Sequence, residues 1–351
     1  MALNGYIDLR SDTLTVPTPA MREAMASAEV GDDVFGEDPT VNALQELAAE
    51  RLGFEAALLV CSGTMGNLVA LLTHCSGRGE EVIVGDQSHV YIYEGGGSAV
   101  VGGIHPRSVP NRLDGTLDLD DIRQAIRPKD AHYPETRLIC LENTHNRMFG
   151  AALTPTYTQQ VAELAHAHGL KLHIDGARIF NAAAALGVDV KALTRGADSV
   201  TFCLSKGLSA PMGSVLCGSR EFIRLAHRRR KVLGGGLRQA GVIAAAGIVA
   251  LEQMTDRLAE DHANARALAE RTAQVEGLQV DLARVQTNMV YVDLRPELPL
   301  DAAEFCRRAA AHRVKMLPVA PRRIRAVTHC YVSREEVDEA AQVIAHVAAR
   351  C

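Results

Sequence analysis

The feature that most constrains this chain is an alternation, from Asp38 to about Lys231, of short apolar runs with stretches of helical periodicity. Asp38 caps and Pro39 opens the first helical stretch, Val41, Leu44, Leu47, Ala48 and Leu52 share one face, and Gly53 ends it. Ala57 to Cys61, Glu81 to Gly85, Leu138 to Leu141, Lys171 to Ile174, Val200 to Leu204 and Ser214 to Cys217 then read as buried strands. Helical patterns near 64–74, 118–127, 155–168 and 219–231 separate them. Such alternation predicts an α/β fold, a mainly parallel sheet with helices on both faces. An Ala-rich stretch at 239–254 and a helix to about Val275 close this part, and a compact α+β set follows. It comprises Met289 to Leu294, a helix from Leu300 to about His312, Arg323 to Val332 and a last helix from Ser333. We place a large domain at 15–250 and a smaller one made of 1–14 and 251–351.

With 351 residues, 47% of them apolar, the chain is long enough to bury such a core. Its net charge of -5 argues against a nucleic-acid partner, because the molecule's field would repel phosphate. The longest near-continuous apolar stretch, Val242 to Leu251, is too short to cross a membrane, and the opening MALNGYIDLRSDT lacks a signal peptide's apolar centre. The expected location is therefore cytoplasmic. Eight cysteines without a C-x-x-C pair point to reduced thiols, and neither disulfides nor a metal site is expected.

In an α/β sheet, ligands bind beyond the C-terminal strand ends. Four of those ends are unusually polar here: Ser62-Gly63-Thr64, Glu142 to Asn146, Asp175-Gly176-Ala177-Arg178 and Ser205-Lys206-Gly207. The first lies between a strand and a helix, where free N–H groups and the helix dipole can hold a phosphate. An ordinary capped turn explains it equally well. Asp175 and Lys206 end neighbouring predicted strands. A lysine that loses solvation drops below its free pKa of about 10.4 and can form a Schiff base. An Asp beside it could keep the ring nitrogen of pyridoxal phosphate protonated. A structural Asp–Lys ion pair satisfies the same spacing. The run Arg228-Arg229-Arg230 reads as a solvated helix face, and His166 and His168 read as solvent-exposed.

From Asp8 to its end the chain resembles the L-threonine aldolases, pyridoxal-phosphate enzymes of the aspartate-aminotransferase-like fold. The resemblance rests on D-L-R-S-D-T at 8–13, G-D-D-V-F-G-E-D-P-T at 31–40, Y-E-G-G-G at 93–97, L-E-N-T-H-N at 141–146 and H-I-D-G-A-R at 173–178. It continues through C-L-S-K-G-L-S-A-P-M-G-S at 203–214, R-K-V-L-G-G-G-L-R-Q-A-G at 230–241 and I-R-A-V-T-H at 324–329. The resemblance implies that Lys206 carries the cofactor and Asp175 meets its ring nitrogen. Gly63 and Thr64 would hold its phosphate, with Lys231 and Arg238 reaching that region from a neighbouring subunit. His89 would stack on the ring, and His145 would approach the substrate side chain. Ser11, Arg178 and Arg325 resemble the family's carboxylate binders, Arg178 counting among the cofactor contacts as well. Either His89 or His145, directly or through a water, is the candidate base. The implied oligomer is a dimer or a tetramer with active sites at the subunit interface.

There are two departures from the family. Met148 and Phe149 follow Arg147 where relatives have a small residue and a Gly pair, and Ser209 stands where Gly is frequent. Met148 and Phe149 could form an apolar wall for the substrate's β-substituent, or Phe149 could point into the core. The expected activity is retro-aldol cleavage of L-threonine and related L-β-hydroxy-α-amino acids to glycine and an aldehyde. The alternatives are another lyase or aminotransferase of the same fold, and a catalytically silent homologue that serves as a binding protein.

Overall fold

The computed structural model describes residues 5–350. Seven strands form the large sheet: β1 (Ala56–Val60), β2 (Glu80–Gly85), β3 (His105–Val109), β4 (Glu135–Glu142), β5 (Lys171–Asp175), β6 (Ser199–Cys203) and β7 (Ser214–Gly218). Their order is β1-β7-β6-β5-β4-β2-β3. Only β7 runs against the others, pairing antiparallel with β1 and β6. The remaining six strands therefore point the same way, and their C-terminal ends open on one edge.

The strands form where the sequence places apolar runs because both faces are covered: β2, β6 and β7 are buried along their whole length. The exception is β3, whose sequence His-Pro-Arg-Ser-Val contains no apolar run and buries only Val109. It is an edge strand, where a Pro and polar side chains are tolerated. Helices Pro39–Leu52, Gly63–His74, Pro155–Ala167 and Arg220–Val232 fall where the periodicity predicts. Asp38 caps the first through the N–H groups of Thr40 and Val41, and Gly53 closes it in the left-handed conformation. The Ala-rich stretch is a helix over Gly241–Val249 that runs into a π turn at Ala250–Met254.

The predicted solvated Arg run requires a correction. Arg230 is among the most deeply buried side chains, donating to the Leu59 carbonyl at 2.8 Å and lying 2.8 Å from Asp33. Its position explains this: Phe222, Ala226 and Arg230 recur every four residues on the buried face of one helix.

A second, antiparallel sheet orders Leu317–Ala320, Arg323–Val327, Met289–Leu294 and Leu278–Gln279. Its core includes Val290, Val292, Phe305, Ile324 and Ile344, and Ile7 and Leu9 pack into it. Ile7–Asp8 pairs in parallel with Val314–Lys315, and Leu9 accepts from the Val327 N–H. This ties residues 7–9 to the C-terminal sheet while Ser11 and Asp12 continue toward the large one. Residues 1–4 and Cys351, which belong to the expected small domain, lie outside the described residues.

Candidate active site

At the end of β1, Ser62 caps helix Gly63–His74, its hydroxyl accepting from Met65 N–H and its carbonyl from Gly66 N–H. The N–H groups of Gly63 and Thr64 thus stand outside the helix's own ladder. A Cβ on Gly63 would come within 2.8 Å of Cys203 Sγ, and one on Gly66 within 2.5 Å of Thr201 Cγ2. Glycine at both positions lets the helix start lie directly on β6.

Asp175, the last residue of β5, is buried. One carboxylate oxygen accepts from Asn67 Nδ2 at 2.9 Å and the other from the Ala177 N–H at 3.1 Å. The same Asn67 nitrogen donates to Glu94 Oε1 at 2.9 Å, and Glu94 Oε1 also meets His89 Nδ1 at 2.8 Å. Single ligand atoms of His89, Glu94 and Asp175 lie within 4.8 Å of one another. Burial pushes Glu94 above the usual carboxylate range. Burial lowers His89 as well, but the bond from Glu94 and the charges of Asp175, Glu94 and Glu142 outweigh it and raise the imidazole. Asn67 and Glu94 carry no role in the sequence reading. The signal for Glu94 is its place in the Y-E-G-G-G motif, and Asn67 follows Ser62-Gly63-Thr64 within the first helical turns, where nothing in the sequence marks it.

Lys206 follows β6, the strand beside β5, and is half-buried. Its carbonyl accepts from Thr15 Oγ1 at 3.1 Å, and among the described residues none hydrogen-bonds its amine. Glu142, named in the sequence as part of a polar strand end, closes β4. Its two oxygens accept from the N–H groups of His89 at 2.6 Å and Asn146 at 2.8 Å, tying both histidine loops to one strand end.

His145 is buried, with the Met148 N–H 3.4 Å from Nδ1 and its Nε2 without a partner among the described residues. Arg325 donates to Asn146 Oδ1 at 2.8 Å and to the Arg10 carbonyl at 3.2 Å, and its buried Nε is likewise unpartnered. Arg178 is more fully engaged than the sequence implies. Asp12 takes its fork in a buried bidentate pair at 2.7 and 2.6 Å. Burial raises the Asp12 carboxyl, but the Arg178 guanidinium and the Lys206 charge outweigh it and hold the group well below the usual carboxylate range. Ser11 caps the turn Asp12–Leu14, accepting from the Thr13 N–H and hydroxyl at 3.3 and 3.0 Å.

Lys231 and Arg238 do not join this cluster within one chain. Both are exposed, and Arg238 pairs with Asp32 at 2.9 Å. The glycine turn between them does reach the helix start, since a Cβ on Gly235 would come within 2.6 Å of Met65 Sδ.

Phe149 turns away from His145. It adopts a left-handed φ of 65° and packs with Met289, Tyr291 and Val327, its ring 4.4 Å from that of Tyr291 and covered by Arg284. Met148 lines a shallow hollow with Asp114, Arg284 and Gln286. Of the two expectations for this segment, burial of Phe149 is the observed one. Ser209 has φ 63°, the conformation that favours the glycine frequent in relatives.

A cavity of about 830 Å³ lies at the other edge of the sheet, between His74, Lys171, Asp198 and Phe222, and is not part of this cluster.

The donor set suits pyridoxal phosphate. It offers a carboxylate held in place at one strand end, an amine at the next, free N–H groups at a helix start, and buried unpartnered atoms at His145 Nε2, Thr201 Oγ1 and Arg325 Nε.

The chain matches the beta-eliminating lyase family over residues 8–295. It is 51% identical over 333 residues to the low-specificity L-threonine aldolase 1 of Arabidopsis thaliana, covering 94% of this chain and 93% of that one. With the low specificity L-threonine aldolase of Escherichia coli strain K12 it shares 49% identity over 335 residues, 95% of this chain and 97% of the other. The solved structure of Leishmania major threonine aldolase shares the fold at a TM-score of 0.80 and 19% identity, over 97% of this chain and 99% of that one.

Proposed function

The chain belongs to the beta-eliminating lyase family, and we propose that it is a pyridoxal-phosphate-dependent aldolase that cleaves L-threonine, L-allo-threonine and related L-β-hydroxy-α-amino acids to glycine and an aldehyde. The observation that carries this reading is the placement of Asp175 and Lys206 after two neighbouring strands, on the edge where helix Gly63–His74 begins with free N–H groups.

Lys206 would hold the cofactor's carbonyl carbon, Asp175 its ring nitrogen, Gly63 and Thr64 its phosphate, and His89 the face of its ring. When bound, pyridoxal phosphate supplies an electron sink for the pair released from the broken Cα–Cβ bond. The Asp175 carboxylate, fixed by Asn67, would face the ring nitrogen and favour its protonated form. Arg325, with a free Nε and a fork steadied by Asn146, is placed to grip the substrate carboxylate, aided by Ser11. Arg178 is neutralised by Asp12, so its role is to complete that wall rather than to act as a lone counter-charge.

Cleavage needs a base for the β-hydroxyl proton, and the hydrogen-bond partners separate the two histidines. Glu94 at Nδ1 fixes that nitrogen of His89 as the N–H and leaves Nε2 as the acceptor, the arrangement of a general base. At His145, Nδ1 faces both the Met148 N–H at 3.4 Å and Glu142 Oε1 at 3.9 Å, and the unpartnered Nε2 is the atom left to meet the substrate. We therefore assign the proton to His89, directly or through a water, and the orientation of the β-oxygen to His145.

The domain division at 15–250, a homodimer or homotetramer that brings Lys231 and Arg238 of one chain to the phosphate of another, and a cytoplasmic location belong to the same proposal. Among the described residues no helix is long and apolar enough to cross a membrane. The test is to mix the protein with L-threonine and no keto acid. Acetaldehyde release with a yellow colour that borohydride bleaches is the expected result. An absolute need for a keto-acid acceptor would mark an aminotransferase instead.

A further inference from the structure

Behind Asp175 a line of buried polar side chains crosses the sheet toward its other edge. His173, two residues before Asp175 on β5, has Nε2 3.2 Å from Asn67 Oδ1 and Nδ1 2.8 Å from Ser199 Oγ. Ser199 Oγ lies 2.7 Å from Nε2 of His74, whose ring stacks on Phe222 at 4.5 Å and walls the cavity of about 830 Å³.

The roles along this line have one consistent assignment. Asn67 Nδ2 donates both its hydrogens, one to Asp175 and one to Glu94, because carboxylates only accept. Its Oδ1 must then accept from His173 Nε2–H. That leaves His173 Nδ1 to accept from the Ser199 hydroxyl, which in turn accepts from His74 Nε2–H. Every donor points toward the carboxylates, and the chain's dipoles add. This polarity requires a neutral His173, since an imidazolium Nδ1 could not accept. Burial supplies that, lowering His173 to about 3, with the neighbouring His74 adding to the fall, and His74 to about 4 despite Asp198. Ser199 and His173 are fully buried, so these polar groups occupy space that apolar side chains would fill at lower cost if packing were their only task.

We propose that Asn67, His173, Ser199 and His74 form a polarised hydrogen-bond relay that holds the Asp175 carboxylate in place to face the cofactor's ring nitrogen, with His74 as its terminus at the cavity. The inference rests on the reading of Asp175 as the ring-nitrogen partner. These are positioning residues: none of them touches substrate in this assignment. The one Asn67 amide also clamps Asp175 to Glu94, so the same side chain couples the carboxylate assigned to the ring nitrogen to His89.

Ser199→Ala cuts the relay at its middle, far from any substrate group, and Ser199→Thr restores the hydroxyl. In the holoenzyme, Ser199→Ala should lower kcat about three- to tenfold, the worth of one neutral hydrogen bond, with KM for threonine unchanged. The visible absorption band of the bound cofactor should shift, and Ser199→Thr should recover both. Asn67→Leu should move both readouts further in the same direction. If Asn67→Leu does not fold, the Ser199 pair decides alone. A Ser199→Ala holoenzyme with the parental kcat and spectrum overturns the relay. So does a loss of activity that only tracks a lower melting temperature while the spectrum stays put. A parent protein that binds no pyridoxal phosphate shows no band at all, and then the cofactor reading fails rather than the relay.

Discussion

On the ring-nitrogen side of the site, Asp175, Asn67, Glu94 and His89 are joined inside one chain by contacts of 2.8 and 2.9 Å. On the phosphate side, the helix start at Gly63 and Thr64 is open and the two cations assigned to it, Lys231 and Arg238, lie exposed. The first half is part of the sheet: its residues end strands or pack under them, and their geometry comes with the fold. The second half is a surface awaiting other groups. The proposed assembly would therefore bear on cofactor retention and leave the ring-nitrogen cluster, already joined within one chain, unchanged.

The sharpest way to break this contrast is at its centre. Lys206→Ala removes the one amine at the strand ends and should lower threonine cleavage about a thousandfold or more, measured as acetaldehyde released. Residual activity within tenfold of the parent would place the cofactor elsewhere. Asp175→Asn keeps the shape of the buried cluster and loses its charge, and should cost about a hundredfold or more in kcat while the cofactor still binds. Near-parental kcat would show that the electron sink is set outside the cluster.

Arg325→Ala tests the wall between the two halves. A desolvated carboxylate pairing is worth roughly 2 to 5 kcal/mol, so KM for threonine should rise by at least about tenfold. An unchanged KM would shift carboxylate binding onto another residue. On the phosphate side, Lys231→Ala and Arg238→Ala should each weaken pyridoxal phosphate about tenfold with a smaller effect on kcat, as the loss of one exposed charge contact implies. The affinity should also fall on dilution if the cations come from a partner, and independence from protein concentration would make the site complete in one chain.

What the sequence discloses follows the same division. Residues that end apolar strands, such as Asp175, Lys206 and Glu142, stand out in the sequence because a charge after a buried run needs a partner, which an ion pair or a ligand can supply, and the family motifs give the first two their roles. Asn67 and Glu94 do not, because their importance lies in which strands and helices become neighbours, and no local pattern carries that. Arg230 was misread because a run of three arginines looks solvated unless its helical spacing from Phe222 and Ala226 is counted. β3 was missed because an edge strand needs no apolar alternation when one side faces solvent.

Phe149 gives the smallest expected effect on catalysis and a clear one on stability. Its ring sits against Tyr291 under Arg284, and Tyr291 in turn donates to the Asn146 carbonyl at 2.8 Å, so Phe149 touches the site only through an intermediate. Phe149→Ala should therefore leave the ratio of phenylserine to threonine turnover within about twofold, because the wall it would have formed is not in the pocket. It should destabilise the protein by about 3 kcal/mol through lost packing. The backbone φ of 65° adds a second arm, since glycine adopts that conformation without the penalty a Cβ incurs. Phe149→Gly should accordingly unfold at a higher temperature than Phe149→Ala, by an amount worth about 1 kcal/mol. A tenfold fall in the phenylserine ratio for both variants would instead put the ring in the substrate's path, and the separation of Phe149 from the reacting groups would have to be abandoned.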